Sequence, residues 1–141
     1  NPAPFVPWVV PYLREAWCVT PNRQEAGQLP GLDGGEPLER ALRTAPYARM
    51  AVTLGAQGAL AVDATGAAFA PALDVPVRTT TGAGDAMVAG LLLALAGGAG
   101  LTDALRHGTA AAAARCLCAG DAFLHRTDFD ALLPQTRADS L

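Results

Sequence analysis

Thr79-Thr80-Thr81-Gly82-Ala83-Gly84-Asp85-Ala86-Met87-Val88-Ala89-Gly90-Leu91 is the stretch on which the reading of this chain turns. A polar cluster, Arg78 to Thr81, leads into a turn of Gly and Ala, and a long apolar helix is expected to follow to about Ala96. Small residues at a helix start let the main chain approach a ligand closely. The first-turn N–H groups and the helix dipole then favour an anion, phosphate above all. A carboxylate at the same helix start would repel that anion. Asp85 therefore reads as a base that takes a proton from a hydroxyl as its oxygen attacks a phosphoryl group. The alternative is a plain strand-to-helix turn with Asp85 as a capping carboxylate. Two other phosphate loops are excluded: the P-loop needs a Lys, of which the sequence has none, and a dinucleotide fingerprint wants Gly or Ala where Met87 stands.

Working outward, a helix is expected from an N-cap at Thr102 to about Leu117, and Asp128 is expected to cap a last short helix through Leu133. Upstream, Val75-Pro76-Val77 reads as an edge or terminal strand, and Gly58–Val62 with Ala67–Ala70 as a hairpin around Asp63 to Gly66. Met50 to Leu54 is a continuous apolar run of strand length, as in a strand buried on both faces. Glu36 to Ala45 has one apolar face and reads as a helix. Asn22, with Glu25 three residues on, predicts a capping box and a helix through about Gln28, preceded by a short strand, Trp17 to Thr20, that Pro21 stops. Strands alternating with helices predict an α/β fold with a mostly parallel sheet in one domain, residues 1–141. The Ala runs are given little structural weight, because a chain without Lys or Ile resembles the product of a GC-rich coding bias.

The chain has 141 residues, 51% hydrophobic and 16% charged, with a mean hydropathy of +0.24, which excludes intrinsic disorder. A net charge of −3 with 6% aromatic residues disfavours a nucleic-acid partner. Ala86 to Leu101 is shorter than the roughly 20 residues of a membrane span and is broken by glycines, so no membrane partner is expected. Three cysteines, Cys18, Cys116 and Cys118, fit reduced thiols and a cytoplasmic location. No basic segment of a secretory signal precedes Pro11. The opening Asn1-Pro2-Ala3-Pro4 reads as the mouth of a strand already under way, so the chain is expected to be a C-terminal piece, inactive alone.

Thr79 to Leu91 resembles the C-terminal signature of the PfkB, or ribokinase-like, carbohydrate kinases, whose usual form is Asp-Thr-Thr-Gly-Ala-Gly-Asp. Asn22-Arg23-Gln24-Glu25 resembles the family's Asn-x-x-Glu motif, and Val52 to Ala59 its strand-and-glycine nucleotide segment. The resemblance implies a three-layer sandwich and an ATP-dependent phosphotransferase acting on a hydroxymethyl group of a sugar or nucleoside. It implies Asp85 as catalytic base and the main chain of Gly82, Ala83 and Gly84 as the anion hole. Asn22 and Glu25 would organise Mg²⁺, through water because Mg²⁺ dehydrates reluctantly, and Thr53, Gly55, Gly58 and Thr81 would lie on the nucleotide side. Glu25 as a capping carboxylate alone is the alternative.

The family's leading Asp, part of the monovalent-cation site in potassium-activated members, is Thr79 here, which puts potassium activation in doubt. That absence, with Asp85-Ala86-Met87, looks most like the pseudouridine kinase branch. His107 is expected to be a packing residue. The rival reading is a noncatalytic nucleotide-binding module or a truncated inactive kinase. The expected partner is a small-molecule sugar or nucleoside; the oligomeric state is left open, a homodimer being compatible.

Overall fold

The structure, a computed structural model, describes residues 6–32 and 38–141. A 3₁₀ turn, Pro7–Val9, opens into α1 (Val10–Glu15), and two short helices follow, α2 (Arg23–Ala26) and α3 (Leu38–Thr44). Then come β1 (Arg49–Thr53), β2 (Ala59–Asp63) and β3 (Gly66–Ala70), the long helices α4 (Ala83–Ala96) and α5 (Leu101–Leu117), α6 (Arg126–Leu132) and a two-residue strand β4 (Asp139–Ser140). The expected helix start at Glu36 and the opening Asn1 to Pro4 lie outside the described residues. Among the described residues no helix is long and apolar enough to cross a membrane.

The sheet is a meander in the order β1-β2-β3-β4, each pair antiparallel. Asp63 closes the β2–β3 turn by accepting from the Thr65 amide at 2.8 Å and the Thr65 hydroxyl at 2.6 Å, as Asx turns do. Among the described residues parallel pairing is confined to isolated bridges from the 19–22 segment to β1, Val19 to Met50 and Asn22 to Thr53. The Trp17–Thr20 stretch therefore lies beside β1 without forming a strand of its own. Pro21 accepts from Thr53 N–H at 3.1 Å but has no N–H to return, which interrupts the ladder. The sheet expected to be mostly parallel is thus antiparallel among the described strands, while the α/β layering holds.

Two flanking layers cover the sheet. Met50, Val52, Leu60, Val62 and Ala67 pack against α1, α2, α3 and their connections, around Leu13, Leu29 and Leu42. Because alternate strand residues point to opposite faces, the other face is Ala51, Ala59, Ala61, Ala68 and Ala70, packed against Met87, Leu91, Leu101, Ala104 and Leu105 of α4 and α5. The alanines thus carry structural weight that a coding bias does not convey. Helices α4 and α5 meet through glycine: a Cβ at Gly90 would lie 2.7 Å from the His107 carbonyl oxygen, and one at Gly108 2.9 Å from that of Met87.

Three other expectations differ. Val75–Val77 is not a strand: Pro76 removes a donor, and β4 takes the β3 edge instead. Helix α5 begins at Leu101 behind Gly100, with no side-chain cap from Thr102. Helix α6 begins at Arg126 behind His125, which places Asp128 in its first turn, not at its cap.

Candidate functional site

Asn22 and Glu25 form the capping box that their spacing predicts: the Glu25 amide donates to Asn22 Oδ1 at 2.9 Å and the Asn22 amide to Glu25 Oε2 at 2.9 Å. The box satisfies two first-turn donors and, through the bridge from Asn22 to Thr53, sits at the end of β1. Glu25 Oε1 makes no hydrogen bond among the described residues. One carboxylate oxygen beside an amide oxygen is a hard-oxygen donor set that suits a hydrated Mg²⁺, so the pair fits that ion.

Beyond Thr53 the chain turns through a 3₁₀ segment, Gly55–Gln57, into β2. Gly55 has φ +61° and Gly58 φ +113°, and a Cβ at Gly58 would collide with the Ala70 carbonyl oxygen. Gly58 is therefore demanded by packing as well as by backbone conformation. Thr53, Gly55, Gly58 and Ala59 line one wall of a cleft of about 510 Å³; Ala83, Gly84 and Met87 of α4 and Thr109, Ala113 and Cys116 of α5 line others. Burial raises the Cys116 thiol pKa above its ordinary value, keeping it protonated and un-nucleophilic at neutral pH.

The loop that ends the 71–82 segment is hung from α5. The N–H groups of Arg78 and Thr79 both donate to the Cys116 carbonyl, at 2.8 and 3.4 Å, and the Thr81 amide donates to Thr79 Oγ1 at 3.2 Å. Gly82, at φ +77°, is the left-handed residue that starts α4. The Ala83 amide is taken by Thr80 O at 3.1 Å, whereas those of Gly82 and Gly84 make no hydrogen bond among the described residues. The free donors thus come from two of the three residues expected to form an anion hole. Asp85 is exposed, in the first turn of α4.

The structure brings Thr53, Gly55, Gly58, Ala83 and Gly84 to one cleft, with Thr81 exposed on the adjoining loop, Asp85 exposed in the first turn of α4 and the Asn22–Glu25 box at the end of β1. His107 is a packing residue: its Nδ1 lies 2.8 Å from the Asp103 carbonyl oxygen and its ring 6.0 Å from that of Phe129. Among the described residues all three cysteines are free, and no cluster of three or more His, Cys, Asp or Glu residues forms a metal site. Sequence reasoning passed over Arg115, which is buried beneath Gly82. The signal was there: Arg115 follows Gly108 by seven positions and so shares its helix face, an odd place for a charge.

Residues 2–127 match the pfkB family carbohydrate kinase profile. The 1-phosphofructokinase of Escherichia coli is 41% identical over 102 residues, 69% of this chain and 33% of that protein. Among solved structures, phosphofructokinase-2 from Escherichia coli in complex with potassium superposes with a TM-score of 0.76 at 31% identity, over 84% of this chain and 40% of that one. A carbohydrate kinase from Agrobacterium tumefaciens gives a TM-score of 0.75 at 33% identity, over 94% of this chain and 44% of that one. The chain thus spans a third to under half the length of these relatives. Their names offer no support for the pseudouridine branch. With the ribokinase-like fold, the glycine loop at the start of α4 and the cleft beside it, the match over 2–127 shows that the chain belongs to the pfkB family of carbohydrate kinases.

Proposed function

We propose that this chain carries the nucleotide and base half of an ATP-dependent kinase that phosphorylates a hydroxymethyl group of a sugar. The observation that carries the reading is the loop itself: free amides of Gly82 and Gly84 at the N-terminus of a 14-residue helix, opening on a cleft of nucleotide-compatible size. The helix end stabilises the charge that develops on a transferring phosphoryl group. The Thr53–Gly58 wall and the small residues of α5 hold the nucleotide, and the Asn22–Glu25 pair holds a hydrated Mg²⁺, which neutralises phosphate charge when bound. Asp85, exposed in the first turn of α4, takes the proton from the acceptor hydroxyl. The relatives' names make fructose phosphates the first acceptors to assay, ahead of pseudouridine and the free sugars.

The test is steady-state kinetics of Asp85→Asn in the protein. Loss of the base lowers kcat by about 10²–10⁴ with ATP affinity retained, and undiminished turnover removes Asp85 from the mechanism. Glu25→Gln keeps a capping-box partner but not the carboxylate charge. It is expected to raise the Mg²⁺ requirement at unchanged Tm; a lowered Tm at unchanged Mg²⁺ dependence makes Glu25 a cap and nothing more.

A further inference from the structure

Arg115 is the one charged residue buried among the described residues, 8% exposed. Its Nη2 donates to the Gly120 carbonyl at 2.7 Å; its Nη1 is sealed from solvent with no hydrogen-bond partner. The Nε–Nη2 edge of the guanidinium lies under the loop: a Cβ at Gly82 would stand 3.3 Å from Nε and 3.9 Å from Nη2. None of the ion pairs among the described residues includes it.

A guanidinium stays protonated at any accessible pH, and a buried charge without a counterion is strongly unfavourable. Its position makes this worse, because the N-terminus of α4 is itself positive. Helix end and guanidinium together therefore favour a multiply charged anion on the loop, which compensates both at once. The loop cannot shift away freely, since Arg78 and Thr79 tie it to Cys116, the residue after Arg115.

A monovalent cation does not fit the same loop. Thr79 offers the loop a hydroxyl without charge, and that hydroxyl already accepts the Thr81 amide. The Gly120 carbonyl, a natural cation ligand, is occupied by the guanidinium. We propose that Arg115 is the positioning residue that supplies this loop with a permanent positive charge in place of an exchangeable monovalent cation, so that phosphate binding by this protein is independent of potassium. The inference rests on the kinase reading only in taking ATP as the anion.

The experiment measures binding of a non-hydrolysable ATP analogue with Mg²⁺ by titration calorimetry, in potassium chloride and in tetramethylammonium chloride at equal ionic strength, with sugar turnover followed in both salts. The wild-type protein is expected to bind equally in both. Arg115→Met is expected to lower affinity roughly 10- to 100-fold, the scale of a lost charged hydrogen-bonding group, and Arg115→Lys to retain most of it. In Arg115→Ala, added guanidinium restores affinity and urea, of the same shape without the charge, does not. Wild-type affinity that rises several-fold in potassium overturns the proposal, as does wild-type affinity in a folded Arg115→Met protein. If Arg115→Met does not fold, the wild-type salt comparison and Arg115→Lys decide. With this chain joined to an acceptor-binding half, binding without turnover defeats the kinase reading alone, turnover stimulated by potassium defeats this inference alone, and no binding in either salt defeats both.

Discussion

The two faces of the sheet are made from the same three strands and do different work. One presents Met50, Val52, Leu60 and Val62 to three short helices; the other presents five alanines to two long ones. Apolar burial scales with area, so the large-residue face contributes more stabilisation per residue. The alanine face gains instead from close backbone approach, continued between the helices by Gly90 and Gly108. Its far end carries the Arg49–Asp63 ion pair, 3.4 Å, with Arg49 stacked over Trp17 at 4.4 Å. Its near end opens into the cleft at Thr53 and Ala59. The face that holds the site is thus tuned for fixed spacing, and the face remote from it for adhesion.

If that contrast is right, the two faces fail in opposite ways. Leu60→Ala leaves a cavity and is expected to cost about 2–5 kcal/mol, read from urea denaturation; a loss under 1 kcal/mol on that scale would erase the distinction. Ala61→Leu, at a fully buried position of the other face, overpacks and is expected to cost about 1–3 kcal/mol, with the cleft displaced and ATP affinity lowered. Gly108→Ala brings a methyl to 2.9 Å from the Met87 carbonyl; the strain exceeds the helix-propensity gain of about 1 kcal/mol, giving a small net loss of Tm. Gly84→Ala is the control. Nothing lies within 4 Å of its Cβ, so stability should rise by roughly 0.5–1 kcal/mol.

The smallest effect is electrostatic. Burial alone would raise the Asp63 pKa, but the Thr65 hydroxyl and amide and the Arg49 guanidinium outweigh it and hold the carboxyl below its ordinary value. A carboxyl depressed on folding contributes stability above its unfolded pKa, about 3.9, and that contribution is lost as pH falls through the folded value. The wild-type protein is therefore expected to lose stability more steeply below about pH 4 than Asp63→Asn, as followed by thermal melts across an acid series.

Much of this architecture was legible because local rules and packing agree. The capping box at Asn22 is set by spacing, β1 and the β2–β3 hairpin by apolar runs and a turn, and α4 by a glycine start and an unbroken apolar run. Strand direction was not legible, since a run buried on both faces looks the same in parallel and antiparallel pairing. Val75–Val77 has strand composition but finds its edge already taken, a competition that no local window contains. Helix α1 went unread because Pro7 and Pro11 suggest extended chain, although Pro is tolerated in a first turn. At the site, the loop and Asp85 stood out by residue type, whereas Arg115 depends on which side of α5 is buried.

The β3 edge is covered by residues far away in sequence: Phe69 pairs with Asp139 and Ala68 with Ser140, Leu141 donates to the Ala67 carbonyl at 2.9 Å, and Arg43 reaches the Leu141 carbonyl at 2.7 Å. Seventy positions separate Phe69 from Asp139, which at roughly 5–20 residues per second leaves the edge unpaired for about 4–14 s during synthesis. An unpaired edge is a template for the wrong strand. The nascent chain is thus most exposed to mispairing after its hairpin has formed and before residues 139–141 emerge, a window that slow decoding across α4 and α5 would lengthen.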